Sequence, residues 1–201
     1  MRMIKNLFSV FIVSLLFACA SSSERVKYYS LNLDADYQLL GTVDRVEVDR
    51  PRVAVGPIHL AKFLQQDGLV MQIDAHEIYT ANYHRWAEPL DEGIAKLLVQ
   101  VLNKKSDYYQ FGRKLEPWKQ NVDFYLRLEF EKFHATNSAQ VVATGRYWFY
   151  TRDSLLKIDK PFNISINLTR NGYLHTVEKL KLAINKLSVE IMDSLNYLER
   201  R

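Results

Sequence analysis

Val122-Asp123-Phe124-Tyr125-Leu126-Arg127-Leu128-Glu129-Phe130-Glu131 carries an apolar side chain at every second position, with charge at most of the positions between. That period of two is the mark of a strand with one face in a core. Gln140 to Arg152 reads as a second strand, with Tyr147 and Phe149 on one face and Trp148 and Tyr150 on the other. In a third, Phe162, Ile164, Ile166 and Leu168 alternate with Asn163, Ser165 and Asn167. Short links join the three, which predicts an antiparallel meander. After Asn171-Gly172, the side chains of Val177, Leu180, Ile184, Leu187, Ile191 and Leu198 share one face of a closing helix.

Upstream, Leu90, Ile94, Leu97, Leu98 and Val101 recur at helical spacing. Pro89 suits a first helical position, Asp91 and Glu92 favour the positive end of the helix dipole, and Lys104 and Lys105 fall at the other end. The expected fold is therefore α+β, an antiparallel sheet packed by two main helices. Tyr28 to Leu31 reads as an opening strand, and Asp34 to Asp49 as a polar loop. Arg52 to Val55 is a short strand ended by the breaker pair Gly56-Pro57. Ala61 to Gln66 suggests one helical turn, Leu69 to Ile73 a strand, and Glu77 to Trp86 one strand or a hairpin.

The chain has 201 residues, 48% hydrophobic and 25% charged, with 7 Gly and 5 Pro, which excludes collagen-like, low-complexity and disordered classes. Its first residues form a separate unit. Arg2 and Lys5 precede an apolar run from Leu7 to Phe17, closed by Ala18 and Cys19. A charged start, an apolar stretch of about 7–15 residues and a small residue at the end describe a secretory signal peptide, here residues 1–18. The run falls short of the ~20 residues of a membrane span. Residues 19–27 are mostly small or polar and read as a tether, and residues 28–201 as one α+β domain. With 27 basic and 23 acidic residues the net charge is +4, and loss of Arg2 and Lys5 lowers it to +2. So mild a balance argues against a nucleic-acid partner.

No catalytic, cofactor-binding or metal-ligating set is expected. His59, His76, His84, His134 and His175 contain no i, i+4 pair, and Cys19 is the chain's one cysteine. No G-x-S-x-G, H-E-x-x-H, P-loop or G-x-G-x-x-G pattern occurs. Asp91 and Glu92 fit a helix start better than a catalytic dyad. Asn163-Ile164-Ser165 and Asn167-Leu168-Thr169 match the glycosylation pattern but read as ordinary strand alternation. Two stretches stand out as interaction candidates. Arg146-Tyr147-Trp148-Phe149-Tyr150 has aromatics on both faces, so Trp148 and Tyr150 need a cover other than the domain's own core. Arg85-Trp86-Ala87-Glu88-Pro89-Leu90-Asp91 is either a strand-to-helix junction anchored by Trp86 or a binding segment. The candidate partner-binding residues are thus Arg85, Trp86, Glu88, Trp148 and Tyr150.

Leu16-Phe17-Ala18-Cys19 resembles a bacterial lipobox, in which cleavage leaves the cysteine as a lipidated first residue. Ala20 follows it where an aspartate would resemble the inner-membrane retention signal, so the resemblance implies the outer membrane, facing the periplasm. Tyr28-Tyr29-Ser30-Leu31, Val53-Ala54-Val55-Gly56-Pro57-Ile58 with Phe63-Leu64, and above all Arg85-Trp86-Ala87-Glu88-Pro89-Leu90 are similar to segments of the PqiC-like family. These are auxiliary lipoproteins of ABC-type transport systems. The resemblance implies lipidation at Cys19 and a non-enzymatic role without cofactor. It implies as partners an inner-membrane protein with mammalian-cell-entry domains and its permease, working in phospholipid transport that maintains membrane integrity. If that partner is a symmetric ring or tube, a matching ring of identical subunits makes the protein a homo-oligomer. The alternatives from residues alone are a structural lipoprotein aiding outer-membrane protein or lipopolysaccharide assembly, and an enzyme acting on envelope polymers.

Overall fold

The computed structural model describes residues 24–32, 50–113 and 122–199; the signal peptide, Cys19 and the loop expected over 34–49 lie outside them. The strands are β1 (Lys27–Tyr29), β2 (Arg52–Leu60), β3 (Gly68–Asp74), β4 (Glu77–Trp86), β5 (Gln110–Arg113), β6 (Phe124–Thr136), β7 (Gln140–Thr151) and β8 (Leu156–Asn167). The helices are α1 (Leu90–Asn103) and α2 (Tyr173–Glu199), and a 3₁₀ turn spans Lys62–Leu64.

β6 is the spine. One edge pairs antiparallel with β7 along its whole length, from Phe124↔Thr151 to Thr136↔Gln140, and β8 continues the meander. The opposite edge is shared by two strands. β2 runs parallel to the first half, Val53↔Phe124 through Leu60↔Phe130, and β3 runs parallel to the end, Met71↔Ala135 and Gln72↔Thr136. β5 adds to β2 in parallel, while β4 pairs antiparallel with β3 and parallel with β1. The antiparallel meander is as expected. The parallel joining of the N-terminal strands is a feature that local periodicity does not carry.

Two irregularities have clear chemical causes. β2 does not stop at Gly56-Pro57 but continues to Leu60, with a register shift against β6 between Val55 and Ile58. Gly56 sits at φ +114°, a conformation that side chains with a Cβ avoid, and the cis Gly56–Pro57 bond follows it. The breaker pair thus makes a bulge inside a strand rather than its end. β6 carries a second bulge between Phe130 and Lys132, where it crowds Gly145 of β7.

Both helices cover the same face of the sheet, α2 over β6, β7 and β8, and α1 over β2 and β5 beside α2. The five residues Val177, Leu180, Ile184, Leu187 and Ile191 are buried against Leu126, Leu128, Tyr147, Phe149 and Ile164. Fully burying one such side chain stabilises by about 1.5–3 kcal/mol. Phe130 is the hub, its ring meeting Phe133 and Phe162 edge-on at 5.5 and 5.1 Å between centroids. Pro89 stands just before α1 rather than within it, and its carbonyl accepts the Gly93 N–H at 3.0 Å.

Candidate functional site

β4 ends at Trp86, and the chain turns through Ala87, Glu88 and Pro89 into α1. Trp86 is on the helix-covered side of the sheet and is 8% exposed, inside the core. Its backbone N–H donates to the Asp67 carbonyl at 2.7 Å, and the Ala87 N–H donates to the Tyr29 carbonyl at 2.8 Å. These bonds tie β1, the β3 approach and the helix start to one point. Glu88 is ion-paired with Lys96, two turns into α1. Asn32 donates to the Glu88 carboxylate at 3.3 Å and to the Gly93 carbonyl at 3.1 Å. A carboxylate at a helix N-terminus also favours the dipole. The segment is therefore a braced junction, in which Trp86 and Glu88 have inward or intramolecular partners. Arg85 alternates to the opposite side, which is helix-free among the described residues; it is half-buried, and its Nε donates to the Asn82 carbonyl at 3.0 Å.

A cleft of about 430 Å³ opens beside this junction, lined by Ile58 to Leu60, Gln65 to Asp67 and Glu88 to Asp91. Its carboxylates come from Asp67, Glu88 and Asp91, and that of Glu88 is already paired. Among the described residues, no group of three or more His, Cys, Asp or Glu side chains is placed to hold a metal.

The second candidate pair lies on β7. Tyr147 and Phe149 point into the core at 2% and 1% exposure, and Trp148 and Tyr150 point to the helix-free side, half-buried. Cross-strand neighbours on that side are Arg127 opposite Trp148 and Tyr125 opposite Tyr150. The Arg127 guanidinium lies 5.2 Å from the Tyr150 ring centroid, a cation–π contact. Arg146 is ion-paired with Asp159 of β8. Tyr, Trp and Arg side chains are the ones enriched at protein interfaces. Arg85 shares this side of the sheet, with β3 and β6 between β4 and β7. Cys19 lies outside the described residues.

A cluster that no sequence motif marks forms where β1, β4 and α2 meet. Tyr29 and His84 Nδ1 are hydrogen-bonded at 2.7 Å, and the His84 ring stacks on Tyr173 at 3.7 Å. Burial lowers the His84 pKa, with the Lys27 charge adding to the effect. Burial also raises the phenol pKa of Tyr173, which Tyr79 contacts. No local pattern marks this cluster, because it depends on the pairing of β1 with β4. Among the described residues, no helix is long and apolar enough to cross a membrane.

Comparison with known proteins gives a consistent picture. The family model described as "ABC-type transport auxiliary lipoprotein component" matches residues 23–192. A crystal structure of an uncharacterized protein superposes with a TM-score of 0.71 at 22% identity, covering 86% of this chain and 99% of the other. A Xanthomonas campestris protein of family DUF330 superposes with a TM-score of 0.62 at 11% identity, over 76% of this chain and 90% of that one. At these identities the two structures speak for the fold. No curated protein matches the chain.

Proposed function

The chain belongs to the family of ABC-type transport auxiliary lipoprotein components, and on that premise we propose that it is the outer-membrane end of a phospholipid transport system. In this reading residues 1–18 are cleaved, Cys19 carries the lipid, and residues 19–27 tether the domain on the periplasmic side. The partner is an inner-membrane protein with mammalian-cell-entry domains, served by its permease. The lipoprotein docks that conduit without catalysis of its own, and transport maintains membrane integrity. The observation that carries this is the extent of the family match, which starts four residues after Cys19 and takes in both interaction candidates. The helix-free side of the sheet supports a docking role. Arg85, Trp148 and Tyr150 lie there, while Trp86 and Glu88 shape the junction behind it. If the conduit is a symmetric ring or tube, a cyclic homo-oligomer meets every copy equally.

Intact-mass measurement and membrane fractionation test the anchor. The mature chain should begin at an acylated Cys19 and partition with the outer membrane, and Cys19→Ser should abolish both. Mixing the purified lipoprotein with the partner's periplasmic region, followed by mass measurement, tests the docking. Absence of any complex at micromolar concentration overturns it.

A further inference from the structure

Three exposed apolar side chains gather where the tether enters the fold. Tyr28 is 63% exposed, Tyr83 43% and Val26 40%. β1 is the outermost strand beside β4, with Tyr28 in register with Arg85. Tyr83 stands two residues before Arg85, and Val26 two before Tyr28, so strand alternation puts all three on the helix-free side of this edge. Across the edge, Leu174 is 64% exposed, next to the Tyr173 that stacks on His84. The corner is thus apolar on both sides, in a place where a domain in plain solvent gains nothing from exposing it.

What covers this corner follows from chain length. Glu24 is five residues after Cys19. A chain spans at most ~3.6 Å per residue, so Glu24 lies within about 18 Å of the anchoring cysteine. That distance is shorter than the width of the domain it carries, and β1 begins three residues later. The edge therefore cannot swing far from the lipid surface. Tyrosine is a residue of membrane–water interfaces, its ring apolar and its hydroxyl wet. Arg25 and Lys27 lie close to Tyr28 in the chain, and Glu24 is the one acidic residue between 24 and 31. Such cations favour anionic headgroups.

We propose that the β1–β4 corner, through Val26, Tyr28, Tyr83 and Leu174, rests in the headgroup zone of the membrane that holds the anchor. The contact fixes the orientation of the domain as well as its attachment. It rests on the lipidated Cys19 described above. The conduit-facing residues Trp148 and Tyr150 are then carried on β7, with β3 and β6 between them and this corner.

The test uses the full-length lipidated protein in vesicles of phosphatidylethanolamine and phosphatidylglycerol. Because acylation consumes the chain's one thiol, Tyr28→Cys and Tyr83→Cys each offer a single site for a nitroxide label. Asn163→Cys, on the outer side of β8, serves as reference. The ratio of collisions with oxygen to collisions with a water-soluble nickel complex should be several-fold higher at 28 and 83 than at 163. Equal ratios in a protein whose mass confirms acylation overturn the proposal and leave the anchor standing. Dipolar broadening between labels at position 28 overturns it in favour of a second copy of the chain. An unacylated mass removes the anchor and the proposal together. Leu174→Cys gives a second reading should a tyrosine variant fold poorly.

Discussion

Replacing Gly145 by alanine is the sharpest test of the way the sheet is built. Gly145 faces Phe130 of β6 and Phe162 of β8, in the middle of the meander. A Cβ there would strike the Glu129 carbonyl group and stand 2.9 Å from its carbon and from the Phe162 ring. The Glu129 oxygen would stand only 1.9 Å from that Cβ, where C···O contacts run at about 3.3–3.6 Å and carbon–carbon contacts at about 3.5–4.0 Å, so the strand must yield by roughly 1.4 Å and the ring by roughly 0.6 Å. Neither moves freely, since Phe162 is held by Phe130 and β7 is paired on both edges. Overpacking of this kind costs about 1–3 kcal/mol, and a distorted ladder bond adds about 1 kcal/mol. We expect a total near 3 kcal/mol, read as a loss of roughly 6–12 °C in melting temperature for a domain of this size. Urea unfolding followed by circular dichroism gives the free energy directly. A Gly145→Ala protein within about 0.5 kcal/mol of the parent, the range of ordinary surface changes, would refute the close approach of β6 and β7.

Trp86→Ala removes a core anchor and should cost about 3–5 kcal/mol in urea melts, with Arg85→Ala close to neutral by comparison. Trp148→Ser with Tyr150→Ser should cost only about 1–2 kcal/mol, since both rings are half-buried and the Arg127 contact is of the weak, exposed kind; the same double variant should lose the complex with the partner. A melt like that of a core mutant would place those rings inward. Burial holds the His134 imidazole below its ordinary value of 6.5, and burial with Lys27 does the same for His84. The unfolded chain therefore takes up these protons first, so stability should fall as pH drops below about 6.5. Melting at pH 7.5 and 5.5 checks this, and His134→Gln should flatten part of the slope.

The half of the fold that sequence made legible is the half built from local period. β6, β7 and α2 each keep one apolar face, and the residues expected inward, such as Leu126, Phe149 and Ile184, are buried. β5 leaves no sequence mark because four residues show too little alternation, although Phe111 is buried there and Tyr109 just before it. Gly56-Pro57 reads locally as a stop, and only its pairing with β6 turns it into a bulge. The split edge of β6 is equally illegible, because register between distant strands leaves no periodic trace. At the junction, the inward position of Trp86 follows from its place at a strand end. The pairing of Glu88 with Lys96 and Asn32 depends on a tertiary approach that no spacing rule describes.

The shared edge of β6 also sets the order in which the molecule can assemble. Arg52 at the start of β2 meets Asp123, 71 residues further on, and no earlier part of the chain supplies that edge. Synthesis runs N-terminus first, so β2, even with α1 and β5 beside it, is made well before the β6 edge it pairs with. Long-range parallel pairing is slow to form and exposed to aggregation meanwhile. β6, β7, β8 and α2, by contrast, are successive and mostly local in contact. In pulse-labelled hydrogen exchange their amides should gain protection first, with β2 and β5 last. Until then β2 keeps an unpaired apolar edge, the kind of surface on which other strands associate.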